Sequence, residues 1–201
     1  IVDALQEMDF GDWEGQLLQD VWQADPDLVS RFYADPETTT PPGGEPVVDA
    51  ADILSPADEA ELNSVLLAFE ERNQRQFVIA TIPSLEGYDI ADYGYQLGRH
   101  WQLGDAERND GIILIVAPAD RKMRIEVGYG LEGIIPDGLA FDYIENMKPY
   151  FRNNDYAGGI RVGAAQIIAQ LELPPEEAAR IAAEASQSRQ SEGGIPVGGL
   201  I

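Results

Sequence analysis

Read for the spacing of its apolar positions, the chain becomes regular from Val47 onward. Ser55-Pro56-Ala57-Asp58 supplies an N-cap, a proline at the first helical position and an acid in the first turn. Leu62, Val65, Leu66 and Phe69 follow at i, i+3, i+4 and i+7, which predicts a helix with that stripe facing the core. Phe77 to Ile82 is a short β-prone run stopped by Pro83, and Asp89 opens a second helix with Ile90, Tyr93, Leu97 and Trp101 on one face. Gly111 to Ala117 is apolar on both alternating faces, as a central strand covered on each side must be. After a turn at Pro118–Arg121, Met123, Ile125 and Val127 alternate with Arg124 and Glu126. That pattern predicts an antiparallel strand near an edge, dry on one face and wet on the other.

Beyond the glycines at 128, 130 and 133, a helix carries Ala140, Ile144 and Met147 and is expected to break near Pro149. Another presents Ile160, Ala164, Ile167, Ile168 and Leu171, and a Glu/Ala-rich amphipathic stretch from Pro175 to Ser188 is expected to pack loosely. Helices alternating with few strands predict a three-layer α/β/α sandwich around a small mixed sheet. No internal repeat is evident.

Residues before this pattern differ. Thr38 to Glu45 clusters residues unsuited to helix or strand and marks a boundary. The first 45 residues hold eleven acids against Arg31 alone and are expected not to form an independent domain. The reading is therefore a segment 1–45, a domain 46–172 and a helical, glycine-rich tail 173–201.

Composition narrows the chemistry. A formal net charge of −23 over 201 residues opposes nucleic acid and anionic bilayers while concentrating cations at the surface. With no cysteine and one histidine, disulfides, thiolate metal sites, cysteine nucleophiles and any mechanism using two imidazoles are excluded. No stretch reaches the roughly 18 apolar residues of a spanning helix, so the chain is expected to be soluble as given.

Gly128-Tyr129-Gly130-Leu131-Glu132-Gly133 matches the dinucleotide-binding spacing, but the preceding strand alternates and Lys148-Pro149 stands where an acid should end a second strand. The glycines are read instead as supplying positive φ or close approach in a bent connection. The acids are more telling. Asp49 precedes the first helix, Asp110 enters the central strand, Asp120 lies in the turn after it, Glu132 in the glycine loop and Asp137 at a helix start. Oxygen-only ligation by such residues suits Ca²⁺ or Mg²⁺, while acids in so charged a chain also simply face water and Asp137 also suits a helix cap. His100 is read as a surface or partly buried side chain, and Tyr88, Tyr93, Tyr95 and Trp101 as core and rim. Arg121 and Lys122 suit either a phosphate or their acidic neighbours.

Val47 to Ser55, Asn109 to Val116, Asp120 to Gly133 and Pro136-Asp137 together resemble the TPM domain family, which includes thylakoid lumen acid phosphatase-like proteins and bacterial membrane-anchored relatives. The resemblance covers about residues 46 to 172. It implies an α/β/α sandwich and an extracytoplasmic domain anchored to the membrane by segments absent from this chain. It also implies divalent cation binding and, for some members, weak phosphatase activity. Carried over, Asp49, Asp110, Asp120 and Asp137 are the metal candidates, with Asp120 and Asp137 the candidates to serve catalysis in metal-assisted phosphomonoester hydrolysis. The alternative is a non-catalytic module that assists assembly or repair of membrane protein complexes.

Leu5 to Gly15, Asp35-Pro36 and Pro41 to Glu45 are similar to the middle of a phosphoglycerate-mutase-like histidine phosphatase, with Glu7 matching its general acid. The nucleophilic and second histidines of that family have no counterpart here, so a phosphohistidine mechanism is excluded.

Overall fold

The computed structural model describes residues 44–191 and 199–200. The expectations for Glu7 and the rest of residues 1–43, and for the glycine-rich residues 192–198, lie outside these described residues.

Ser55 caps α1 (Pro56–Asn73) through a full capping box: its hydroxyl accepts the Asp58 N–H at 3.2 Å and its own N–H reaches the Asp58 carboxylate at 3.1 Å. The helix ends at Gln74, whose left-handed φ of 55° lets its N–H bond the Glu70 carbonyl. Leu62, Leu66 and Phe69 are buried as expected, whereas Val65 is 44% exposed. Asn63 takes the core-facing place instead, because its Oδ1 accepts the Val47 N–H at 2.9 Å and ties the helix to β1 (Val47–Asp49).

The remaining elements follow as β2 (Phe77–Thr81), α2 (Ile90–His100), β3 (Ile112–Ala117), β4 (Lys122–Val127), a 3₁₀ turn (Tyr129–Leu131), α3 (Asp137–Arg152), α4 (Tyr156–Glu172), α5 (Pro175–Ser191) and a two-residue β5 (Gly199–Leu200). The sheet has the order β1-β2-β3-β4-β5; the first three strands are parallel, and β4 runs antiparallel to both its neighbours. Every residue of β2 and β3 is buried, since both faces are covered.

Alternation along these strands feeds two separate cores. Phe77, Ile79, Leu114, Met123 and Ile125 pack with α1, α3 and α4 on one face. Val78, Ala80, Ile113 and Ile115 pack under Ile90, Tyr93 and Leu97 of α2 and under Trp101, which caps its end, on the other. Each fully buried large apolar side chain contributes about 1.5–3 kcal/mol to burial. The result is the expected α/β/α sandwich. Burial in α2 also pushes the Tyr93 hydroxyl up to about 12.

Three local expectations are corrected. Arg124 and Glu126 are not on a wet face: α2 lies beside them, and they form an ion pair with side chains only 16% and 23% exposed. Gly94 permits that approach, because a Cβ there would sit 2.7 Å from Ile115. Pro149 does not stop α3, which continues to Arg152 with Met147 and Phe151 buried on either side of the proline. At the end of the helix the Asn153 Nδ2 donates to the Pro149 carbonyl at 3.0 Å. Helix α5 is not loose, since Ala178, Ala182 and Ala185 are buried and Gln170 Nε2 donates to both the Ala178 and Ile134 carbonyls.

Candidate functional site

Parallel strands place their carboxyl ends together, and this is where Asp49 and Thr81 meet as paired residues of β1 and β2. The Thr81 hydroxyl, 1% exposed as a residue, donates to Asp49 Oδ1 and accepts the Ala51 N–H at 3.0 Å. Asp49 also accepts the Ile53 N–H at 3.3 Å and the Leu54 N–H at 2.8 Å. Its carboxylate thus folds residues 50–54 back toward the start of α1. Asp52 assists with a φ of 51°, a conformation that aspartate tolerates better than most side chains. Nearby, burial together with the charges of Asp49, Glu45 and Asp52 raises the Glu59 carboxyl above its ordinary value.

Asp120 lies at the same end of the sheet, in the turn between β3 and β4. Its Oδ2 accepts the Leu85 N–H at 2.7 Å, which fastens the β2–α2 connection onto that turn. Arg121 follows at φ 53° and is exposed.

Asp110 and Asp137 are elsewhere. Asp110 precedes β3 and is 4% exposed; it accepts the Asp105 N–H at 3.0 Å and the Arg108 Nε–H at 2.7 Å. The same arginine reaches the Gln74 carbonyl at 2.8 Å. Because β4 reverses direction, the chain leaves it at the end where β3 begins, and the glycine loop and Asp137 follow there. Asp137 is exposed at the first position of α3, with Pro136 as the N-cap and no side-chain capping bond. A six-residue strand separates the two ends by about 20 Å.

Two of the four aspartates therefore lie at each end of the sheet, not all in one pocket. Among the described residues, no group of three or more histidine, aspartate or glutamate side chains is placed to hold a metal ion. The oxygens of Asp49 and Asp110 already serve backbone amides, a hydroxyl and a guanidinium. This donor set does not fit a shared Ca²⁺ or Mg²⁺. His100 is exposed at the end of α2.

The glycine loop does what close approach demands. A Cβ on Gly128 would strike the Asn109 carbonyl and one on Gly130 the Arg108 carbonyl, while Gly133 has open space around it. None of the three has positive φ; the left-handed residue is Asn109 opposite, at 49°. Between the two tight glycines, Tyr129 is 81% exposed. Reading the motif only for its glycines passes over this side chain, although an aromatic flanked by residues without side chains is a visible signal.

A family model described as the TPM domain matches residues 47–170, and one for the histidine phosphatase superfamily (branch 1) matches residues 1–60. The solution NMR structure of the N-terminal domain of a protein from P. gingivalis is 33% identical, with a TM-score of 0.58 over 68% of this chain and 85% of that one. The N-terminal domain of the cg2496 protein from Corynebacterium glutamicum, also solved by NMR, is 16% identical with a TM-score of 0.51, covering 68% of this chain and 88% of that one; it shares the fold. None of the curated proteins compared matches the chain.

Proposed function

Because the chain belongs to the TPM domain family, we propose that its residues 46–172 act as a non-catalytic, extracytoplasmic binding module that assists the assembly or repair of membrane protein complexes through an acidic surface. One observation carries this reading: the aspartates best placed for chemistry are divided between two ends of the sheet, and Asp49, Asp110 and Asp120 accept hydrogen bonds that hold loops in place. Metal-assisted hydrolysis needs carboxylates gathered around a cation that in turn contacts the reacting phosphate. A net charge of −23 further favours cationic partners and slows the approach of phosphate esters. No helix of the described residues is long and apolar enough to cross a membrane.

The test is hydrolysis of p-nitrophenyl phosphate by the full chain with Ca²⁺, with Mg²⁺ and with EDTA, beside Asp120→Asn and Asp137→Asn. The expected result is no release above the protein-free control in any sample. Turnover that EDTA abolishes and either substitution reduces would replace this reading with metal-assisted phosphomonoester hydrolysis.

A further inference from the structure

Tyr129 stands out among the exposed apolar side chains of the described residues. Tyr95, 51% exposed, is already engaged: its hydroxyl accepts the Arg99 Nη1–H at 2.8 Å and the guanidinium lies 5.5 Å from its ring centroid. Tyr129 has no such partner among the described residues, yet its backbone is held firmly. Gly128 donates to the Gly111 carbonyl at 2.8 Å, Gly130 to the Asn109 carbonyl at 2.9 Å, and Leu131, 1% exposed, donates to the Gly128 carbonyl at 2.8 Å. The facing turn is fixed in its own right by the buried Asp110 and by Asn109 in the left-handed region. Backbone held by hydrogen bonds on both sides of Tyr129 presents its ring from a fixed position. An aromatic displayed on a prefixed turn loses little freedom when a partner covers it, and tyrosine is enriched among residues that dominate binding.

The surroundings choose the partner. Asp105 and Glu107 lie on the facing turn, Glu132 in the same loop and Asp137 just beyond, all exposed. Hydrogen bonds from the Arg108 and Glu107 amides hold the Asp105 carboxyl below its ordinary range, so it stays ionised. The one cation of that turn, Arg108, is spent on Asp110, Asp105 and the Gln74 carbonyl. An exposed aromatic ring in a loop that packs against an acid-bearing turn suits a lysine or arginine side chain, which gains from the ring and from the negative potential of the carboxylates together. The geometry points to Tyr129 as the anchor of a docking surface for a basic segment of a partner protein. This inference rests on the binding-module role proposed above and names the part of the surface that performs it.

Fluorescence anisotropy of a labelled octa-arginine peptide, titrated with the full chain at physiological salt, tests it. Tyr129→Ala should weaken binding about three- to tenfold, Tyr129→Phe should bind as wild type, and Tyr95→Ala should change nothing. All three should melt with the wild type, since their rings are exposed. No binding by the wild type, equal binding by Tyr129→Ala, or an equal loss in Tyr95→Ala would overturn the assignment, the last because it would show only general attraction to an acidic chain. Any of these without phosphomonoester turnover leaves the binding-module role standing on another surface; turnover removes the role itself.

Discussion

The Thr81 hydroxyl donates a hydrogen bond to the Asp49 carboxylate across the ends of two adjacent parallel strands. Thr81→Val keeps the shape but leaves Asp49 short of a donor and the Ala51 N–H without its acceptor. We expect a loss of about 1–3 kcal/mol in urea unfolding with an unchanged slope. Thr81→Ser should recover most of it. Asp49→Ala should cost more, because the Ile53 and Leu54 amides lose their acceptor too. The double variant should cost less than the sum, as expected for residues in one network. A Thr81→Val midpoint equal to wild type would contradict this account.

The glycine loop offers a within-motif comparison. Gly130→Ala must push the Arg108 carbonyl aside and should destabilise by about 1–3 kcal/mol, whereas Gly133→Ala meets open space and should stay within about 0.5 kcal/mol. Equal melting temperatures for the two would refute the close-approach explanation.

Glu59 supplies a pH signature. Its carboxyl is raised by burial and by neighbouring acids, so the folded state holds the proton more tightly than the unfolded chain. A raised carboxylate adds nothing where both states are protonated, and it costs stability as pH climbs through the window between the unfolded and folded values. Glu59→Gln should therefore melt slightly above wild type at pH 7 and together with it near pH 3. The positive end of the α1 dipole favours the native glutamate and keeps the gain small. A variant less stable than wild type at pH 7 would show that the dipole outweighs the crowding.

Leu66→Ala should cost about 2–5 kcal/mol, against less than about 0.5 kcal/mol for neighbouring Val65→Ala, because only Leu66 lies in the core. Chemical denaturation of the pair checks which face of α1 the sheet covers.

Much of the fold is legible in the sequence because local signals agree. Ser55-Pro56-Ala57-Asp58 specifies a helix start, and the unbroken apolar run of β3 specifies burial on both faces. The failures come from contacts distant in sequence. Asn63 occupies a core position because it bonds the backbone of β1, and no spacing of apolar residues announces that. Arg124 and Glu126 look solvent-facing until α2 lies beside them. The acids of the candidate site are found as types, and the antiparallel direction of β4, legible in its alternation, sends Asp137 to the far end from Asp120; what spacing does not announce is that Asp49 and Asp110 are spent on hydrogen bonds to neighbouring loops. Thr81 escapes notice because a hydroxyl at a strand end carries no pattern of its own.

Among the described residues, one side of the sheet is closed by a single helix, the other by four. Peeling α2 away would wet Val78, Ile113 and Ile115 while leaving the packing around Leu114 and Met147 undisturbed. With Gly94 and Gly98 weakening its intrinsic helicity, α2 should detach before the helices of the other face, and its amides should take up deuterium ahead of those of α3 and α4. Sub-global opening is thereby expected first on the flank that bears Tyr95.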